Sequence, residues 1–155
     1  MSFVITGLPV EPFSPLFGLD EAALTAAGAI RYVADSKPGF PCRITLEDAE
    51  PGETLLLLNH EHLAVDTPYR STHAIFVRET AATPARFEDE VPASLAGRLL
   101  SVRAYDARGM MIDAEVLEGR ELAPLIERFF DNPSVAWLHA HNARRGCFAA
   151  RIDRA

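Results

Sequence analysis

Five histidines carry most of the titratable chemistry in this sequence, and they fall in three places: His60 and His62, His73, and His139 and His141. Two of these are His-x-His patterns inside stretches that read as strands. Side chains two apart on a strand share a face, so each pair presents both imidazoles to one side. That spacing lets a strand offer two nitrogen ligands to one metal ion. A third ligand from a neighbouring strand, such as His73, would leave an open position for water. The competing expectation is a set of half-buried imidazoles, each hydrogen-bonded to its own surroundings.

The segment Pro68-Tyr69-Arg70-Ser71-Thr72-His73 is the densest polar stretch at a strand entrance. Tyr69, Arg70 and Ser71 supply hydrogen bonds and a cation, and His73 supplies a group that titrates near neutrality. Ser71 and His73 share a face but sit side by side on one strand, which is awkward for a Ser–His relay. The segment therefore reads as a ligand-binding wall. His73, His139 and His141 are the candidate catalytic groups. Tyr69, Arg70, Ser71, Asn142 and Arg145 are the candidate ligand contacts, with Arg70 and Arg145 as anion clamps. These residues alone fix no metal or other cofactor.

The last hairpin permits a register. With its turn at Arg144-Arg145, Asn142 pairs with Cys147, His141 with Phe148 and His139 with Ala150. One face then holds Trp137, His139, His141, Phe148, Ala150 and Ile152. The other holds Leu138, Ala140, Asn142, Cys147, Ala149 and Arg151. Cys147 faces away from both nearby histidines, which argues against a Cys–His nucleophile–base pair. A one-residue bulge would reverse such an assignment.

The elements that must position these groups are mostly strands. Strands are expected over Phe3–Thr6, Ala29–Ala34, Cys42–Leu46, Thr54–His62 and Ser71–Glu79, with an exposed loop over Thr80–Glu90. Leu99–Asp106 and Met110–Leu117 form a hairpin across Ala107-Arg108-Gly109, and Val135–Asn142 and Cys147–Asp153 form the last one. A short helix opens at Asp20-Glu21 and ends at Gly28. Pro92–Gly97 reads as one helical turn. The best helix is Glu121–Asp131, where Leu122, Leu125, Ile126, Phe129 and Phe130 fall on one face. Pro9, Pro12 and Pro15 fit a stiff connector packing Phe13, Leu16 and Phe17 onto the body. The expected fold is α+β: a single domain over residues 1–155, with a largely antiparallel sheet and two main helices.

Composition sets outer bounds. The 155 residues are 48% hydrophobic and 24% charged, enough for one core and too few for two comfortable ones. The longest aliphatic run, Leu55–Leu58, is far short of a membrane span. A net charge of −7 repels phosphate backbones, which argues against nucleic-acid and anionic-membrane partners. From His139 onward the balance inverts, with Arg144, Arg145, Arg151 and Arg154 against Asp153. The start has no basic, apolar leader, and Cys42 and Cys147 form no Cys-x-x-Cys, so two thiols in a reducing cytoplasm are expected. No glycine-rich phosphate loop is present.

Three segments carry a resemblance: Gly39–Arg43, Thr67–Glu79 and His139–Asp153. Over nearly its whole length the chain resembles an uncharacterised bacterial family, catalogued as domain of unknown function 1203. The resemblance implies a bacterial single-domain protein and carries no activity, cofactor or catalytic residue. The function expected from the residues is a pocket, catalytic or not, for a small anionic metabolite, lined by His and Arg. The alternatives are a His-ligated metal enzyme, and a non-catalytic module that binds a partner or forms a homodimer through a sheet edge or aromatic patch.

Overall fold

A computed structural model describes residues 2–155. In chain order the elements are β1 (Phe3–Thr6), α1 (Glu21–Ala26), β2 (Ile30–Val33), β3 (Thr54–Leu63), β4 (Ser71–Arg78), β5 (Arg86–Glu88), α2 (Ala93–Ala96), β6 (Leu99–Tyr105), β7 (Met111–Glu118), α3 (Leu122–Phe130), β8 (Trp137–Asn142) and β9 (Phe148–Arg154). They build two antiparallel sheets, one of six strands in the order β5-β1-β9-β8-β6-β7 and one of three in the order β2-β3-β4. The α+β expectation holds, with α3 the one long helix.

The six-stranded sheet buries one face under α3, and the small sheet packs apolar side chains on both of its faces. Alternation on β6 and β8 sends Leu100, Val102, Ala104, Leu138 and Ala140 to the side covered by α3. All five apolar residues expected on the α3 face are buried there. Each such side chain contributes about 1.5–3 kcal/mol. Pro124 lies in the first turn, where a backbone N–H has no helical partner to lose. In the small sheet, Leu56 and Leu58 on β3 stand opposite Val77 and Ile75 on β4. These four pack with Phe13, Leu24 and Ile44. Phe13 is buried, as the stiff connector requires, and the connector closes into a short 3-10 helix, Ser14–Leu16. α1 is capped by Asp20, whose carboxylate accepts from the Ala23 N–H at 2.8 Å.

Three local expectations are corrected. Cys42–Leu46 is no strand: only isolated bridges join Pro41 to Asp48 and Cys42 to Phe76. Its backbone turns instead around the buried Cys42 sulfur, which accepts from the N–H groups of Ile44, Thr45 and Arg78 at 3.3–3.5 Å. The 80–90 stretch is not all loop, because Arg86–Glu88 pairs with the edge of β1. The last hairpin holds a bulge. His141 does face Phe148, but beyond it Ala140 pairs with Ala150 and His139 with Arg151, leaving Ala149 as the extra residue. Burial explains the shift: Ala150 and Ile152 join the cluster under α3, while Arg151 turns to the opposite face and stacks over the Trp137 ring at 4.9 Å.

Candidate functional site

The second face of the six-stranded sheet meets the small sheet, and the histidines lie at that junction. On β3 and β4 the inward rows read Leu56, Leu58, His60 and Val77, Ile75, His73, with His60 directly opposite His73. Imidazoles thus replace aliphatic side chains at one end of an apolar face. Between His60 and Leu63 the register slips by one residue, so Glu61 and His62 together face Thr72. That bulge brings the His62 ring over His73, with His62 Nε2 and His73 Nδ1 2.9 Å apart. Strand β8 contributes His139 and His141. Ring centroids are 4.9 Å apart for His62 and His141, 5.3 Å for His73 and His141, and 5.6 Å for His62 and His139. Phe148 lies beneath, stacked on His62 at 5.2 Å and tilted against His139 at 4.9 Å.

Several of these nitrogens lack partners. His141 is fully buried, and its Nδ1 lies 2.9 Å from the Gly146 carbonyl. A carbonyl only accepts, so Nδ1 carries the proton and Nε2 keeps its lone pair. That Nε2, with His62 Nδ1 and His139 Nδ1, is buried without a hydrogen-bond partner. One donor nitrogen from each of His62, His73 and His141 lies within 4.8 Å of the other two.

All five rings are held towards the neutral form. Burial is the main cause at each, pushing His62 down to about 4, His141 to about 3 and His139 to about 2. His60 and His73 are lowered in the same direction. Neighbouring imidazoles and the Arg103 guanidinium add to the effect at His62, His139 and His141, and Arg103 adds to it at His73. Neutral imidazoles at pH 7 suit metal ligation, proton acceptance or hydrogen bonding.

Arg103 was not among the candidates drawn from the sequence. It sits on β6 directly opposite His139. Its Nε is 3.4 Å from Ser101 Oγ, and no carboxylate pairs with it among the described residues. The available signal was the alternation of Ser101, Arg103 and Tyr105 with Leu100, Val102 and Ala104, which gains meaning only once β6 is known to neighbour β8.

Of the sequence candidates, His73, His139 and His141 converge, and His62 joins them. The rest go elsewhere. Arg70 is engaged by Glu61 through both carboxylate oxygens at 2.9 and 3.2 Å, in an exposed pair. Ser71 Oγ donates to the Tyr69 carbonyl, and the Tyr69 ring is exposed. Arg145 is exposed in the 142–146 turn. Asn142 Nδ2 donates to Cys147 Sγ at 3.6 Å, and Arg43 Nη2 does so at 3.1 Å. The bulge at Ala149 lies beyond the His141–Phe148 pair, so the register next to the turn stands, and Cys147 keeps company with an amide and a guanidinium. A cavity of about 350 Å³ lies beside the cluster, lined in part by Phe13, Leu16, Ala27 and His60. Apart from His60 it shares no histidine with the junction.

Against known proteins, the chain matches a family described as "Protein of unknown function (DUF1203)" over residues 39–154. That span includes all five histidines and Arg103. No curated protein and no solved structure matched.

Proposed function

The chain belongs to the DUF1203 family, whose function is unknown, and from that premise we propose that the junction of the two sheets is a pocket for a small anionic metabolite. The observation that carries this reading is Arg103, a cation opposite His139 whose charge also acts on His62, His73 and His141, with no carboxylate partner among the described residues. A partly buried guanidinium without a counter-charge is costly, and a carboxylate or phosphate offsets that cost through charge-assisted hydrogen bonds. His73, only partly buried, is the ring best placed to exchange a proton with such a ligand. In this reading Arg103 is the anion clamp, while Arg70 lies in an exposed pair with Glu61 and Arg145 is exposed in the 142–146 turn.

The test is a thermal-shift titration with inorganic phosphate and malonate, repeated on Arg103→Met. Wild type should gain stability with ligand concentration as mass action requires. The variant should need at least tenfold more ligand for the same shift. Absence of any shift in wild type, or equal shifts in both proteins, would remove the reading.

A second reading, self-association, rests on the edge strand β7, where Ile112 and Val116 are 41% and 58% exposed. Light scattering that returns the monomer mass at high protein concentration would eliminate it.

A further inference from the structure

We propose that His62, His73 and His141 form a binding site for one divalent transition-metal ion of the zinc type. The three rings come from three strands and from both sheets, so the tertiary fold, not a local motif, gathers them. Their donor nitrogens already lie within 4.8 Å of one another. In a tetrahedral site with bonds of about 2.0–2.1 Å, ligand nitrogens stand roughly 3.4 Å apart. Ring rotations have to close that difference, and His62 and His73, both only partly buried, are the rings to make them, since His141 is fully buried.

His141 carries the argument furthest. It is fully buried, and donation from Nδ1 to the Gly146 carbonyl fixes both its tautomer and its ring plane. Metal-bound histidines are typically oriented in this way, by donating the other ring N–H to a carbonyl or carboxylate. The remaining nitrogen, Nε2, is buried and unpartnered. A buried acceptor without a donor is destabilising, and a bound cation removes that cost. Between His62 and His73, the single hydrogen bond of the metal-free protein gives way to two bonds to the ion. His139 stays outside the ligand set and packs against Tyr105 and Phe148 as wall.

The donor set also selects the metal. Imidazole suits zinc, cobalt, nickel, copper and iron, whereas magnesium and calcium require oxygen ligands. Three neutral ligands leave the ion its full double positive charge, to which Arg103 adds the positive field already acting on all three rings. An anion completing the coordination is what such a site would attract, so this proposal deepens the anion-pocket reading. It does not depend on that reading, because the three nitrogens bind metal whether or not an anion follows.

The experiment uses chelator-treated protein without a histidine tag, shown to be folded by circular dichroism. Co2+ is titrated alone and followed by visible absorption. Zn2+ and Mg2+ are titrated by calorimetry. The expected result is one Co2+ or Zn2+ per chain and no heat with Mg2+. His62→Ala and His73→Ala should each weaken Co2+ binding at least tenfold, and Arg103→Met should not weaken it. These two positions are chosen because truncating the fully buried His141 risks the fold. Folded wild type without cobalt bands or zinc heat overturns the site, as does either histidine variant that binds within twofold of wild type. Cobalt binding without any phosphate or malonate shift would sink the anion reading and leave the metal site standing. Anion shifts without metal binding would do the reverse.

Discussion

His139 separates structural from chemical roles at the scale of one side chain. Its ring is buried among Tyr105, Trp137 and Phe148, and its Nδ1 has no hydrogen-bond partner. Its place is that of a hydrophobic residue carrying an orphaned polar atom. His139→Leu removes the orphan and should raise the stability of metal-free protein by about 1 kcal/mol, read by urea unfolding. A clear loss would mean that the ring nitrogen has work to do. Cys147 shows the opposite case. The hairpin periodicity placed its sulfur away from the histidines, and Arg43 and Asn142 indeed approach it instead. His62 was legible only as half of a strand pair, and Arg103 not at all, because nothing in the sequence states which strand lies beside which.

Among the elements, two one-residue bulges do most of the placing. The first, after His60, sets Glu61 and His62 together against Thr72 and gives the next paired position, opposite Ser71, to the buried Leu63. The second, at Ala149, delivers Ala150 and Ile152 to the core and Arg151 to the other face. Alternation is readable from a sequence, whereas a bulge is decided by what each neighbour must bury. Elements are also tied by charge. Arg31 on β2 is held by Glu79, just after β4, at 2.7 Å and by Glu21 of α1 at 2.8 Å. The hydrogen bond from Arg31 is the largest cause holding the Glu79 carboxyl down to about 2. A carboxylate lowered in the folded state stabilises fully above its unfolded value of 4.5, and that contribution is lost as pH falls from there towards 2. Glu79→Gln should therefore cost about 1–3 kcal/mol at pH 7 and much less near pH 2, measured by urea unfolding at the two pH values. An equal cost at both would show that the carboxylate's charge is not the source.

For the whole molecule, the decisive feature is the seam where two antiparallel sheets meet face to face. Phe148 is buried in that seam, stacked on His62 and tilted against His139, while Arg43 donates to the Phe148 carbonyl at 2.7 Å from the connector before β3. Phe148→Ala should cost about 3–5 kcal/mol in thermal or chemical unfolding, and it should weaken cobalt binding by loosening the floor beneath His62. A cost below about 1 kcal/mol would show that the sheets are not coupled through this ring. No helix among the described residues is long and apolar enough to cross a membrane. The amino-acid order alone settled what depends on local pattern: the buried face of α3, the existence of the two hairpins and the shared face of His139 and His141, because periods of 3.6 and 2 are printed in the chain. It could not settle the three-histidine cluster or its arginine neighbour. Those arise from contacts between strands distant in the chain and between two sheets, and a local pattern holds no record of which strand lies beside which.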